Sequence, residues 1–229
     1  MTDQAYTGVD NLEAMAEARR YNAFLADLVV RSAGGAPRAL DFGAGTGTFA
    51  AMVRDRGLQV TCVEVDPDLR ARLDAQGFAT SAGLEAIEPD SVPFAYSLNV
   101  LEHIEDDDAA LRALAERLVP GGRLLVYVPA FQVLSSSMDR KVGHFRRYRR
   151  AGLVDLVRRA GLEPERAEYV DSLGWLASLV FKAVGNADGD LSPRSVALYD
   201  RVAFPVSRVL DRGLHAVLGK NLLVVARRP

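Results

Sequence analysis

Cysteine is nearly absent: Cys62 is the only one among 229 residues. That excludes an intrachain disulfide and predicts a reducing compartment. Long apolar runs are missing as well, since no uninterrupted stretch approaches the ~18 residues a membrane-spanning helix needs. The first residues, MTDQAYTGVDNLEAM, lack the basic segment followed by an apolar one that marks a secretory signal. Neither sign of charge prevails. The formal net charge is −2, so nothing global favours nucleic acid as a partner. Internal repeats and low-complexity blocks are also lacking. Together these absences predict a cytoplasmic, soluble chain, and 49% hydrophobic with 25% charged residues suits one ordinary core.

What is present is alternation. Short apolar runs at 39–42, 59–63, 93–99, 124–128 and 222–226, with a weak one at 78–81, alternate with helical patterns. This predicts an α/β fold with a largely parallel, doubly wound sheet. Asp106, Asp107 and Asp108 place negative charge where a helix dipole favours it, ahead of the stripe Leu111, Leu114, Ala115 and Leu118. Pro120-Gly121-Gly122 should end that helix before a buried strand. A second stripe, Leu153, Val154, Leu156, Val157 and Ala160, stops at Gly161. Residues 171–219 read as a helical insertion, with Pro205 expected to kink or split its second helix. Residues 1–34 carry a further helix with Tyr21, Phe24, Leu25 and Leu28 on one face. The expected organisation is one domain over 1–229: an N-terminal lid helix (1–34), a core (35–170), the insertion (171–219) and a last strand (220–229).

The stretch LDFGAGTGTF places Gly43, Gly45 and Gly47 between a strand and a helix. A dinucleotide fingerprint G-x-G-x-x-G would need its third glycine at position 48, which is Thr48. NAD and FAD are therefore disfavoured. Glu64, at the end of the second strand, can accept hydrogen bonds from both hydroxyls of a ribose. The turn holds no Lys or Arg for a phosphate, and Asp41 just before it can attract an ammonium. The pattern suits a ligand with a ribose at one end and an amino acid at the other. An ordinary strand–helix connection is the alternative.

The segments ALDFGAGTG, VTCVEVD, NVLEHI and LVPGGRLLVYVP resemble, in this order, the signature segments of class I S-adenosyl-L-methionine-dependent methyltransferases. The resemblance covers about residues 15–170 plus the last strand. It implies a seven-stranded sheet of order 3-2-1-4-5-7-6 with strand 7 antiparallel. It implies that Gly43, Ala44, Gly45, Thr46 and Gly47 line the methionine and ribose, that Glu64 holds the ribose hydroxyls and that Val65 packs on the adenine. Asn99 would face the methionine end, with Val100 and Leu101 bordering the site and Tyr21 and Asn22 covering it from the lid helix. Where many relatives carry an acid for the adenine amino group, this chain has Gly83, so the backbone of Gly83 and Leu84, or Glu85, would serve instead. Val92-Pro93 replaces another frequent pair and bears on packing.

On the acceptor side, DRKVGHFRRYRRAG follows the fifth strand. His144 is a candidate general base with Tyr148 beside it; a surface-loop histidine is the alternative. His103 reads either as a base near the substrate or as a supporting residue. Arg147, or one of its neighbours Arg146, Arg149 and Arg150, could neutralise an acidic acceptor, the rest facing solvent. Trp175 and Phe181 either line an apolar acceptor pocket or pack as core. No metal is read from the sequence. The expected reaction is methyl transfer to a small-molecule or lipid-linked metabolite, at oxygen. Peripheral membrane contact through the insertion remains open, as do RNA methylation and a silent cofactor-binding role.

Overall fold

The computed structural model describes residues 15, 17–184 and 192–229. Residues 1–14, which hold nearly all of the amino-terminal stretch read for a signal, residue 16, and residues 185–191 of the insertion lie outside them. Seven strands, β1 (Arg38–Phe42), β2 (Gln59–Val63), β3 (Ala79–Ser81), β4 (Val92–Leu98), β5 (Leu118–Pro129), β6 (Glu163–Val170) and β7 (Asn221–Arg227), form one sheet. Its order is β3-β2-β1-β4-β5-β7-β6, as expected. β7 runs antiparallel to both β5 and β6.

Alternate residues of the central strands feed opposite cores, because side chains of a strand point to opposite faces. On β5, Leu124, Val126 and Val128 join one core, with Leu111 and Leu114 of α4 (Asp107–Arg117) and Leu153 and Val157 of α6 (Arg150–Arg159). Leu125 and Tyr127 join the other. That second core holds Leu25, Ala26, Leu28 and Val29 of α1 (Arg19–Ser32), Ala50 and Val53 of α2 (Thr48–Arg54), and Leu73 of α3 (Pro67–Ala75). Burial on both faces explains why these strands read as apolar runs rather than alternating ones.

Three expectations need correction. First, β5 begins at Leu118 rather than after Pro120-Gly121-Gly122: Val92 pairs with Leu118, Phe94 with Arg123, and the Pro-Gly-Gly segment bulges between. Gly121 takes φ 79° there, and a Cβ on Gly122 would lie 2.8 Å from the Val119 carbonyl. Second, α1 is not a free lid. Most of its apolar face is buried against α2 and the sheet. Third, the Asn22 side chain donates to the Met15 carbonyl at 3.0 Å and is buried, so it does not reach toward a cofactor.

The insertion comprises α7 (Ser172–Val184), α8 (Pro193–Leu198), one π-helical turn (Tyr199–Ala203) and α9 (Phe204–Leu214). The break falls just ahead of Pro205, which lacks an N–H and crowds the preceding turn. Buried carboxylates tie the insertion to the core. Asp171, at φ 67°, accepts from Gly174 N, Tyr199 Oη and Ser207 Oγ, while Asp211 accepts from the amides of Asp171 and Ser172. α1 has no capping side chain at Ala18; Asp200 supplies one from across the chain, accepting from Arg20 N at 2.9 Å and Tyr21 N at 2.8 Å. Asp200→Ala should therefore cost about 1–2 kcal/mol in urea unfolding, as loss of a helix cap does. Asp200→Asn, which keeps an acceptor, should cost less.

Candidate active site

The turn from β1 to α2 is left-handed at three glycines: Gly43 at φ 81°, Gly45 at 55° and Gly47 at 83°. A Cβ on Gly43 would collide with Val100, and one on Gly47 would lie 2.7 Å from Leu73 Cδ2. Both positions exclude side chains, so the backbone itself lines the turn. Across from it, Glu64 is buried and doubly held. Its Oε2 accepts from Gly45 N at 2.7 Å and its Oε1 from Asp66 N at 3.0 Å. Arg70 brackets the same loop by donating to the carbonyls of Glu64 and Val65. Val65 projects an apolar side chain that is 68% exposed. Asn99, at φ 55° and exposed, stands at the end of β4, and Thr46 is held through its carbonyl by Gln76.

Asp41 lies beneath the turn with its Oδ2 accepting from Tyr96 Oη at 2.9 Å. Burial pushes its pKa up to about 7, the Glu64 charge adds to this, and the Tyr96 hydrogen bond opposes it. An acid whose folded pKa is raised contributes stability below its unfolded pKa and loses it as pH rises through the folded value. The ligand-free protein should therefore lose stability between about pH 4 and 7 through this group. Asp41→Asn should flatten that slope in urea midpoints measured at pH 5 and 8, leaving the variant the relatively more stable of the two at pH 8.

Around this cleft the other expected residues separate. Val100 fills the space above Gly43, but Leu84 and Leu101 are core side chains that can offer a ligand only main chain. The Glu85 carboxylate folds over Gly83, which leaves that side chain placed where the sequence lacks the more usual acid. Ala44 donates its N–H to Val63 and is tied to the sheet. Tyr21 is a correction: its hydroxyl bonds to Tyr127 Oη at 3.2 Å and receives Asn221 Nδ2 at 3.3 Å, and its ring sits 5.3 Å from Phe204. It joins α1 to the sheet and the insertion, so its hydroxyl is already engaged.

The acceptor side lies beyond the ends of β4 and β5. Leu101–His103 forms a single 3-10 turn, and Phe131, at φ 58°, opens the loop toward α5 (Ser137–Lys141). Asp139 is the hub of this loop. It receives Arg147 through two bonds, at 2.6 and 3.0 Å, and His144 Nδ1 at 2.8 Å, while Ser136 N closes a capping box on it at 2.9 Å. Against the upward push of burial, these hydrogen bonds hold its carboxyl well below the usual range. His144 and His103 meet edge to face with ring centres 4.6 Å apart, and His144 Nε2 lies 3.9 Å from Glu102 Oε1. Burial, then the His144 charge, pushes the His103 pKa down to about 4. Burial pushes Glu102 up to about 8.

Two candidates from this loop are corrected. Arg147 is buried, and Asp139 and the Ala130 carbonyl take its guanidinium, so it does not face an acceptor. Tyr148 is buried and donates to Asp107 Oδ2 at 2.7 Å, within 3.1 Å of the Leu101 carbonyl. Burial and that carboxylate drive its pKa far up, which removes it as a proton carrier. It latches two loops instead. Arg146 bonds to Asp107 and the Glu105 carbonyl, while Arg149 and Arg150 are exposed. Trp175 stands 6.5 Å from Phe131, ring to ring, with a buried Nε1–H that has no hydrogen-bond partner. Glu102 was missed: within NVLEHI its inward direction depends on a 3-10 turn that no periodicity announces.

With β7 reversed between its neighbours and the acid at the tip of β2 bonded back to the glycine turn, the class is set: an S-adenosylmethionine-dependent methyltransferase of class I. The site fits that cofactor, since Glu64 and Asp41 suit hydroxyls and an ammonium, Val65 offers an apolar surface, and no cation in the turn calls for phosphate. Residues 13–167 match the family model described as a methyltransferase domain, and the chain belongs to that family. A ubiquinone biosynthesis O-methyltransferase of Xanthomonas euvesicatoria is 32% identical over 99 residues, 39% of this chain and 41% of that protein. The chain thus spans less than half the length of the curated relatives it matches. A S-adenosylmethionine-dependent methyltransferase from Thermotoga maritima superposes with a TM-score of 0.64 at 17% identity, covering 97% of each chain. The [4+2]-cyclase SpnF superposes with a TM-score of 0.61 at 25% identity, covering 90% of this chain and 80% of that one. No helix among the described residues is long and apolar enough to cross a membrane.

Proposed function

We propose that the enzyme methylates a hydroxyl oxygen on a small-molecule or lipid-linked metabolite. The observation that carries this reading is the cluster of Asp139, His144, His103 and Glu102 beyond β4 and β5: a hydroxyl, unlike an amine, needs a group that takes its proton. When bound, S-adenosylmethionine supplies an electrophilic methyl group. The chain's part is to hold the ribose at Glu64, align the acceptor oxygen and exclude water. Asp139 fixes the His144 ring through Nδ1 and so turns Nε2 toward Glu102 and His103.

The outer face of the insertion supports the lipid-linked option. Leu198, Val202, Val206, Val209 and Leu214 recur at helical spacing and are exposed, with exposed Arg194, Arg201 and Arg212 along the same segment. Its two acids, Asp200 and Asp211, are turned inward. An apolar stripe with only basic charge outside suits an anionic lipid surface. Labelled S-adenosylmethionine should transfer methyl to phenolic or other hydroxyl acceptors, more readily when they carry an apolar tail, with product NMR placing the label on oxygen. Label on nitrogen or in RNA, with none on oxygen, would reject the reading.

A further inference from the structure

Glu102, Asp107 and Asp139 are buried carboxylates beyond the ends of β4 and β5, and two of them have an arginine partner. Asp139 has Arg147, and Asp107 has Arg146 at 2.9 Å. Glu102 has no such cation. It is fully buried, His144 Nε2 stands 3.9 Å from its Oε1, and beyond its own main-chain amide neither oxygen has a hydrogen-bond partner. A buried carboxylate left in that condition calls for a proton or a cation.

Two imidazoles converge on it. Glu102, His103 and His144 each present one ligand atom, all within 4.8 Å of one another. Each ring is also held from outside: His144 by Asp139 at 2.8 Å, and His103 by a main-chain hydrogen bond to Val142. Carboxylate and backbone partners of this kind orient imidazoles that bind metals and fix their tautomers. Asp139 is already taken by Arg147, so Glu102 is the carboxylate of the cluster still open to a cation.

We propose that Glu102, His103 and His144 form a binding site for one divalent transition-metal ion of the zinc type, with a fourth coordination position left open. Two imidazoles and one carboxylate suit such an ion better than magnesium or calcium, which take mainly oxygen ligands. Bonds of about 2.0–2.2 Å require the three atoms to draw together to roughly 3.4 Å, within reach of side-chain adjustment. The ion's role rests on the O-methylation reading: it would lower the pKa of a hydroxyl at the open position, whose proton would pass to solvent water rather than to the cluster, and His144 would then be a ligand rather than the base. The site itself does not rest on that reading, and it supplies a metal that the sequence did not suggest.

The full chain, stripped with a chelator, is titrated with cobalt(II) and then zinc(II), without S-adenosylmethionine or acceptor. One equivalent of cobalt should bind, giving visible bands that zinc displaces, with elemental analysis confirming one zinc per chain. Loss of an outer partner costs about 10–100-fold in metal affinity, so Asp139→Asn should fall in that range and Glu102→Gln and His144→Ala should lose at least about 100-fold. Circular dichroism shows whether each variant is folded, and the near-isosteric Glu102→Gln decides the matter if His144→Ala is not. Absence of a bound equivalent in the wild type, or unchanged affinity in folded Glu102→Gln, overturns the site. Methylation of a hydroxyl by protein that takes up no metal would overturn the site while leaving O-methylation standing. Uptake without hydroxyl methylation would do the reverse.

Discussion

Glu64→Ala is expected to weaken S-adenosylmethionine binding at least about 100-fold in titration calorimetry. A hydrogen bond to a charged group is worth about 1.5–3 kcal/mol, and a ribose presents two hydroxyls to this carboxylate. Two such bonds correspond to roughly 3–6 kcal/mol, or two to four powers of ten at about 1.4 kcal/mol each. The carboxylate is already oriented, because Gly45 N and Asp66 N grip opposite oxygens. Little ordering then remains to be done on binding, and the bonds contribute nearly their full strength. The same substitution frees the Gly45 amide and loosens the turn. Glu64→Gln separates the two effects, since it keeps an acceptor near the turn but loses the charge; its affinity should fall between wild type and alanine. Unchanged affinity in folded Glu64→Ala would show that the ribose lies elsewhere.

How much of this was legible in the sequence depended on whether a feature was local. The glycine turn, the acid closing β2 and the alternation of buried strands are local patterns, and the sheet order follows from the family they resemble. Pro205 announced its own break because the cause lies in its ring. Arg147 and Tyr148 were misread because a charged or hydroxylated side chain in a loop looks available until its partner is known. Their partners, Asp139 and Asp107, lie 8 and 41 positions away. Glu102 was invisible for the same reason. Nothing in LEHI says which way a 3-10 turn will face, and the meaning of that carboxylate comes from His144, brought in by a different loop. The cap of α1 is the extreme case, with Asp200 donated from 180 positions away.

Arg147→Met should be the most destabilising single change in the acceptor loop, by about 3–5 kcal/mol in urea unfolding. That is the cost of leaving a buried charge without its partner. Arg147 and Asp139 side chains are each 3% exposed, so solvent cannot take over the lost bonds. Arg147→Lys should recover only part of this, since an ammonium cannot reproduce the two-pronged bond. The Asp139 carboxyl is held low in the fold, so its contribution is present above the unfolded pKa and disappears as pH falls through the folded value. The gap between wild type and Arg147→Met should accordingly narrow as pH drops below about 4. The double variant Asp139→Leu with Arg147→Met removes both charges, and apolar replacement of a buried pair is often nearly neutral. Its stability should return toward wild type. Its His144 ring, however, has lost the acceptor at 2.8 Å that sets its orientation. Methyl transfer should therefore stay depressed in a protein that is again stable, which separates the structural task of the Asp139–Arg147 pair from its task of positioning His144. If turnover recovered along with stability, Asp139 would serve the fold alone.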